Sequence, residues 1–230
     1  MAAAAKTESE LPGEVGPALS EEVGMLHKSR LAVAACCVAV TVLAGTPAPV
    51  AVAAEDTPSR VVLHDGSGDV WKVNLRTSHW TPVGERPAAD VRRAAITHRA
   101  RAVVLRTRFV NLRRIGVQTF WAGIETPAGD YYTEVTSKPG NRAGRHALYD
   151  EPGGQRTGCA GLSHRIDYPH DTVTVRVPRS CLDRPRWVSL NIGNILVVDD
   201  APHRHHYADN PHDDGPYSNL GTRRIYRGQA

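Results

Sequence analysis

The sequence lacks the short motifs that carry the chemistry of the common hydrolases and nucleotide-binding enzymes. Gly161-Leu-Ser163-His164 has no second glycine, so it is not a nucleophile elbow, and no other segment fits that pattern. Phosphate-binding glycine loops of both common types are missing, as is the histidine-and-glutamate motif of zinc hydrolases. The residues make no positive case for catalysis, and a non-catalytic role is favoured.

Lysine is scarce after residue 54, where Lys72 and Lys138 are the only two among 25 basic residues. The other 23 are arginines, and this part of the chain has a net charge of about +6. Such a charge is typical of proteins that bind an acidic polysaccharide, an anionic envelope surface or another polyanion. The alternative is that GC-rich codon usage, which favours arginine over lysine, explains the arginine content. This alternative is favoured because the arginines are scattered along the sequence. Without interleaved stacking aromatics, no specific nucleic-acid binding is predicted.

Residues 25–54 predict export. Met25 to Arg30 is a short basic start, Leu31 to Ala44 is uncharged and apolar, and Ala51-Val-Ala53 offers small residues to a signal peptidase. Residues 1–24 are too acidic for such a signal, and we interpret them as an extension before the true start of translation, or as a disordered tail. A membrane anchor is the less favoured alternative, because the 24 uncharged residues from Leu31 to Ala54 are long enough to span a bilayer core. Both interpretations predict a protein that is secreted or held on the outer face of the envelope, with membrane contact only through this segment.

The cysteines after residue 54 predict one disulfide. Cys159 and Cys181 are 22 residues apart, and an oxidising compartment favours their pairing. Closing a loop of that length stabilises a fold by about 3 kcal/mol in the chain-entropy model. A catalytic thiol at Cys159, with His164 nearby, is the less favoured alternative.

Long helical periodicity is absent, and short alternating runs recur between turn residues. Ala102 to Phe109 places apolar side chains on one face and Arg106 and Arg108 on the other, as in a half-buried antiparallel strand. The other predicted strands are 61–63, 70–73, 119–125, 131–135, 173–177, 187–192 and 195–198. About eight strands predict a single domain over residues 55–230, folded as an antiparallel β-sandwich of the jelly-roll kind.

Three connections are also predicted. Asp65-Gly-Ser-Gly-Asp69 and Thr126-Pro-Ala-Gly129 have the composition of hairpin turns, and Asn141 to Cys159 that of a long loop. Asp65 and Asp69 belong to a run with side-chain oxygen atoms at alternate positions, which could bind a metal ion as in calcium loops. The segment lacks the distant glutamate of a full calcium loop, so a turn capped by its own aspartates is favoured.

The order of several elements resembles that of uncharacterised secreted β-sandwich proteins of high-GC bacteria, over about residues 60–228. The resemblance rests on Asp90-Val91, Ala102 to Phe109, Val173 to Val177, Pro178-Arg-Ser-Cys-Leu182 and Arg186-Trp-Val188. More distantly, the layout is similar to the carbohydrate-binding sandwiches that accompany xylanases, which carry a sugar site and calcium. The resemblance implies a fold and transfers no ligand residue.

Residues 199–214 hold the densest group of metal-binding side chains: His203, His205, His206, Asp209 and His212. Imidazole with carboxylate suits zinc, and oxygen ligands alone suit calcium. Surrounding proline and glycine predict a mobile surface loop, so a solvated loop is favoured over a bound cofactor.

Trp121 and Tyr132 are candidate ligand-binding residues together with Arg106 and Arg108. If Phe120 is in the core, its neighbour Trp121 faces outward. In the same way, Tyr132 faces outward if its neighbour Tyr131 is in the core. Outward aromatics on adjacent strands would offer a flat surface to a sugar ring, although burial in the core is favoured for each.

These observations predict an exported, non-catalytic β-sandwich protein that binds a cell-surface glycan or another polyanion. One alternative is a structural or partner-binding envelope protein. The other is a metal-dependent secreted hydrolase that uses residues 199–214.

We expect the exported form of the protein to begin near Glu55, because a signal peptidase would cut after the small residues that precede it. N-terminal sequencing of protein collected outside the cell measures the mature start. A start at Met1 or Met25 would contradict cleavage.

Overall fold

Two antiparallel β-sheets packed face to face make up the fold, which confirms the predicted β-sandwich. The computed structural model describes residues 59–228, except 75–76, 151–153, 156–157, 201–202, 213–214 and 217–220. The export signal predicted at residues 25–54 lies outside this range. Among the described residues, no helix is long and apolar enough to cross a membrane.

The described strands, in chain order, are β1 (Arg60–His64), β2 (Val70–Asn74), β3 (His79–Gly84), β4 (Val91–His98), β5 (Ala102–Phe109), β6 (Val117–Thr126), β7 (Gly129–Lys138), β8 (Asn141–Asp150), β9 (Gly154–Gln155), β10 (Ser163–Asp167), β11 (Thr172–Pro178), β12 (Trp187–Asp200), β13 (His203–Asp209) and β14 (Ile225–Tyr226). The five-stranded sheet has the order β1-β4-β5-β11-β10. The larger sheet has the order β3-β2-β13-β12-β6-β7-β8-β9, with β14 paired to β12. Two 3₁₀ turns, Tyr168–His170 and Arg179–Leu182, flank β11.

The main core lies between the two sheets. Leu105 and Phe109 enter it from β5, and Phe120 and Ile124 enter it from β6. The rings of Phe109 and Phe120 meet edge to face with centroids 5.3 Å apart, a geometry that aromatic pairs favour. One face of each sheet is thus committed to the core, and the opposite face is left for solvent or ligands.

Several predicted elements are confirmed. Strand β5 has the predicted bounds, with Arg106 and Arg108 exposed. Strands β6 and β7 form the predicted second hairpin, in which the hydroxyl of Thr126 donates to the carbonyl of Gly129 at 2.8 Å. The structure also contains the predicted disulfide, which ties the chain before β10 to the 3₁₀ turn after β11 through Cys159 and Cys181.

The prediction of a first hairpin around residues 65–69 is wrong. Strand β1 pairs with β4 in the five-stranded sheet, whereas β2 pairs with β3 and β13 in the larger sheet. Val61 packs in the main core, while Val70 joins a second buried cluster with Leu196 and Tyr207. The segment from Asp65 to Asp69 is therefore a link between the two sheets.

Three boundaries also differ from the prediction. The predicted loop from residue 141 begins as strand β8, which tolerates polar residues because only Leu148 in it is buried. The two runs at 187–192 and 195–198 are one strand, β12, since buried Asn194 continues the ladder and donates to the carbonyl of Ala89 at 3.1 Å. Most of the predicted loop at 199–214 is also strand, because β12 extends to Asp200 and β13 follows.

His98 holds the C-terminal segment against the five-stranded sheet. Its side chain is fully buried, and Nδ1 lies 2.9 Å from the carbonyl of Ile225, so the neutral ring donates there. The carbonyl of His98 accepts the N–H of Gly228 at 2.9 Å. Burial, opposed in part by the bond to Ile225, lowers the pKa of His98 below its usual value of 6.5.

We expect the contribution of His98 to the free energy of unfolding to fall as the pH drops below about 6.5, because the unfolded chain then binds a proton that folded His98 resists. The stabilisation is fully present above the pKa of the unfolded histidine and is lost as the pH falls through the lower folded pKa. Denaturant unfolding at pH 7 and pH 5.5 measures the difference. Between pH 7 and pH 5.5, the wild type should lose stability relative to His98→Asn, whose amide keeps a donor near the position of Nδ1. An unchanged difference would contradict the role of His98.

Candidate functional site

The outward face of the five-stranded sheet is rich in arginine, and we call it the arginine face. Residues opposite one another on neighbouring strands form three adjoining rows across β1, β4, β5, β11 and β10. Six positions in these rows are arginines: Arg60, Arg93, Arg106, Arg108, Arg165 and Arg176. Among the same positions only Asp167 is acidic. These arginines are scattered along the sequence, but the pairing of distant strands brings them together on one sheet face.

The arginine face has positive charges in unfavourable positions. Arg93 lies directly opposite Arg108, and like charges so placed destabilise a sheet by a few tenths of a kcal/mol. Asp167 is engaged by Arg165 at 2.8 Å. Within the described part of the chain, no acidic side chain forms an ion pair with the arginines of β1, β4 or β5. The face therefore carries uncompensated positive charge.

Two grooves on this face are bordered by arginine. The first has a volume of about 420 Å³ and lies between the arginines of β1, β4 and β5 and residues 169–172. The second has a volume of about 380 Å³ and is lined by Arg99, Arg101, Arg165 and Arg176, with Ser163 and Thr174 supplying hydroxyl groups. Guanidinium groups arranged along grooves can bind carboxylate, sulfate or phosphate groups through paired hydrogen bonds.

The outward face of the larger sheet carries an aromatic row formed by Trp121, Tyr132 and Tyr149. Trp121 and Tyr132 stack with ring centroids 6.1 Å apart and an angle of 20° between their planes. Tyr149 follows at 6.0 Å from Tyr132, and its hydroxyl donates to Glu134 at 3.1 Å. The three side chains are half-buried. The indole of Trp121 lies over Gly193 of β12, where an added Cβ atom would overlap the ring.

The four predicted ligand-binding residues thus occupy two separate surfaces. Arg106 and Arg108 belong to the arginine face, and Trp121 and Tyr132 belong to the aromatic row on the other side of the sandwich. Phe120 and Ile124 are buried, so the predicted outward direction of Trp121 agrees with the structure.

The predicted metal ligands of residues 199–214 do not form one site among the described side chains. His205 and His206 are neighbours in β13 and therefore point to opposite faces of the sheet. His212 follows in a turn, where its N–H donates to Asn210 at 2.9 Å. The side chain of His203 lies outside the described residues. Asp209 is the one member that joins a cluster of candidate ligands, and its partners there are not histidines.

Asp209 lies with Asp65 and Asp69 at one end of the sandwich, and we call these three residues the acidic cluster. One carboxylate oxygen from each lies within 4.8 Å of the others. Asp65 and Asp69 are the two ends of the link between β1 and β2, and Asp209 ends β13, which pairs with β2. The N–H of Val91 donates to Asp209 at 2.6 Å.

Unless a cation is bound, the ionised form of the acidic cluster is electrostatically unfavourable, because its carboxylates lie close together. Burial and the charges of Asp209 and Asp69 raise the pKa of Asp65 to about 9. Burial, with smaller contributions from Asp69 and Asp90, raises the pKa of Asp209 to about 8. Protons or a metal ion would relieve this repulsion.

Sequence reasoning missed four of the six arginines of the arginine face, and Tyr149 of the aromatic row. The alternating aspartates at 65 and 69 were a signal, but the assumption of a hairpin turn hid their contact with β13. Nothing local marked Arg60 or Arg93 as neighbours of Arg106, because only the order of strands in the sheet brings them together.

Comparison of the chain with protein-family models, with curated proteins and with solved structures finds no match of any of the three kinds. The resemblance to carbohydrate-binding sandwiches therefore stays a prediction. The geometry of the surfaces carries the functional argument.

Gly193→Ala is expected to displace the indole of Trp121, because the added Cβ atom would overlap its ring. The near-ultraviolet circular dichroism of tryptophan should change, and overpacking should lower stability by about 1–3 kcal/mol. Gly123→Ala is the control, since its Cβ atom would meet only Asn191, at 4.0 Å. Identical spectra for the wild type and Gly193→Ala would contradict the placement of Trp121.

Proposed function

We propose that this chain is an exported, non-catalytic β-sandwich protein that binds an anionic polysaccharide of the cell surface through its arginine face. The single observation that carries the proposal is the six arginines gathered on one sheet face, with Arg93 directly opposite Arg108. A face of this kind is most stable when an anionic ligand lies on it.

The arrangement of the two grooves on the arginine face suits an extended polymer. Its two grooves share one sheet surface, and strands β5 and β11 contribute lining residues to both. A chain with a carboxylate or sulfate on successive sugars could contact arginines in both grooves. Such contacts are electrostatic, so affinity should fall steeply as salt concentration rises.

The chemistry of this face favours binding over catalysis. Arginine remains protonated throughout the physiological pH range and does not act as a general acid or base. The groove between the arginines of β1, β4 and β5 includes Asp171, but Oδ1 of Asp171 accepts the N–H of Leu112 at 2.8 Å. That carboxylate supports the loop before β6.

An uncharged glycan bound at the aromatic row is the second candidate. The observation that favours it is the stack of Trp121 on Tyr132, since pyranose rings pack against aromatic faces of this kind. The two candidates use opposite sides of the sandwich, so variants of one face should not affect the other.

The double variant Arg106→Gln, Arg108→Gln is expected to bind heparin and polygalacturonate about tenfold more weakly than the wild type. Two exposed charge contacts together contribute about 1.4 kcal/mol, which corresponds to this factor. Titration at several salt concentrations measures the affinity, and the salt dependence of the variant should be less steep. Heparin tests sulfate groups and polygalacturonate tests carboxylates, while neutral dextran should not bind the arginine face.

The matched control is Lys138→Gln, Arg145→Gln, which removes the same charge from exposed positions of β7 and β8 in the other sheet. It should bind both anionic polymers as the wild type does. No binding by the wild type at low salt, or an equal loss in the control, would overturn the proposal. Binding of neutral dextran that changes the tryptophan fluorescence of the wild type but not that of Trp121→Phe would favour the second candidate.

A further inference from the structure

The acidic cluster is assembled from chain segments that the two sheets bring together. Asp65 follows β1 of the five-stranded sheet, while Asp69 precedes β2 of the larger sheet. Asp209 ends β13, whose Ala208 pairs with Trp71 of β2. Oxygens bound to one calcium ion at 2.3–2.6 Å lie no more than about 5 Å apart, and the carboxylates of the cluster, within 4.8 Å of one another, satisfy that limit.

Asp90 supplies an independent sign of a ligand. Its side chain is 1% exposed, and Oδ2 accepts the N–H of Gly68 at 2.8 Å, which places the carboxylate against the link between the sheets. Gly68 has a φ of +84°, a conformation that allows its N–H to turn toward Asp90. The other oxygen, Oδ1, is buried and has no hydrogen-bond partner. A buried carboxylate oxygen without a donor is costly unless a cation lies beside it.

Asn194 adds a neutral oxygen at the same end. It lies directly opposite Asp209 in the β12–β13 ladder and is 1% exposed. Its Nδ2 donates to the carbonyl of Ala89, the residue before Asp90, while Oδ1 is buried and unpartnered. Oδ2 of Asp65 and Oδ1 of Asp69 are also buried without hydrogen-bond partners. Five neighbouring side chains therefore offer oxygen atoms. In four of these side chains, one buried oxygen atom has no hydrogen-bond donor.

We propose that Asp65, Asp69 and Asp209 bind a calcium ion, with Asp90 and Asn194 completing its oxygen environment. Calcium takes six to eight oxygen ligands in flexible arrangements, which suits carboxylates and an amide from several chain segments. Zinc and copper prefer imidazole or thiolate, and neither occurs among these five residues. Magnesium usually keeps several waters and uses one or two carboxylates, fewer than this cluster presents.

The calcium ion has a structural role. It connects the end of β1 to the start of β2 and to β13, and thus joins the two sheets where the chain crosses between them. The N–H groups of Gly68 and Val91 hold the carboxylates of Asp90 and Asp209 in place. Such supporting hydrogen bonds orient the ligands of a metal site before the ion binds.

The test uses the full-length protein, stripped of metal with EGTA and titrated with CaCl₂ or MgCl₂. Calorimetry should show one calcium ion per chain. When free calcium is about 100 times Kd, the Tm should rise by about 5–10 °C. Magnesium at the same concentration should have a much smaller effect. No heat and no shift in Tm with calcium, or equal responses to both ions, would overturn the proposal.

Asp65→Asn and Asp69→Asn supply a readout that general loss of stability cannot imitate. Each variant should weaken calcium binding about tenfold or more, yet raise the Tm of the metal-free protein, because folding no longer has to bury that ionisable carboxyl group beside other acidic groups. Glu125→Gln, Asp130→Asn is the matched control, since it removes exposed acidic groups that face each other across the β6–β7 hairpin. The control should retain the calcium shift. A calcium shift that survives in the double variant Asp65→Asn, Asp69→Asn would overturn the assignment.

Discussion

The packing of two sheets around one apolar core is the constraint on which the rest of this structure depends. Each core strand turns alternate side chains inward, and Leu105, Phe109, Phe120 and Ile124 show the pattern. A shift of one residue in the register of a strand would move its apolar side chains to the outside. The core therefore fixes the register of each strand it includes, and with it the positions of the outward side chains.

The arginine face follows directly from that register. Because Leu105 and Phe109 must point inward, Arg106 and Arg108 must point outward, and the pairing of β4 with β5 then sets Arg93 opposite Arg108. Burying one side chain such as Leu105 or Phe109 contributes about 1.5–3 kcal/mol, which exceeds the few tenths of a kcal/mol lost to repulsion between the arginines. The core thus holds the charges together, and an anionic polymer is the kind of partner that would compensate them.

The same constraint gathers the acidic groups at one end of the sandwich. The chain must cross from one sheet to the other after β1, and a crossing segment with two glycines and two aspartates lets the backbone turn sharply. Asp209 and Asn194 meet this crossing because β13 pairs with both β2 and β12. Carboxylates brought so close repel one another, so a cation at this point would strengthen the connection between the sheets.

The sequence by itself determined what depends on local order. The alternation in Ala102–Phe109 gave a strand with correct bounds and faces, Thr126 to Gly129 gave a hairpin, and the two cysteines after residue 54 gave a disulfide. It also showed that Trp121 points away from Phe120. For the strand, the hairpin and Trp121, the signal lies within a few residues. For the disulfide, it follows from the residue type and from the oxidising compartment that the sequence predicts.

Only the tertiary structure decided which strands are neighbours. The segment from Asp65 to Asp69 has the composition of a hairpin turn, but β1 and β2 bury their side chains in different clusters, so they belong to different sheets. The arginines of β1, β4, β5, β10 and β11 are spread over more than a hundred residues and meet on one face. Strand pairing at that range depends on the fit of whole apolar faces, and no short stretch of sequence contains that information.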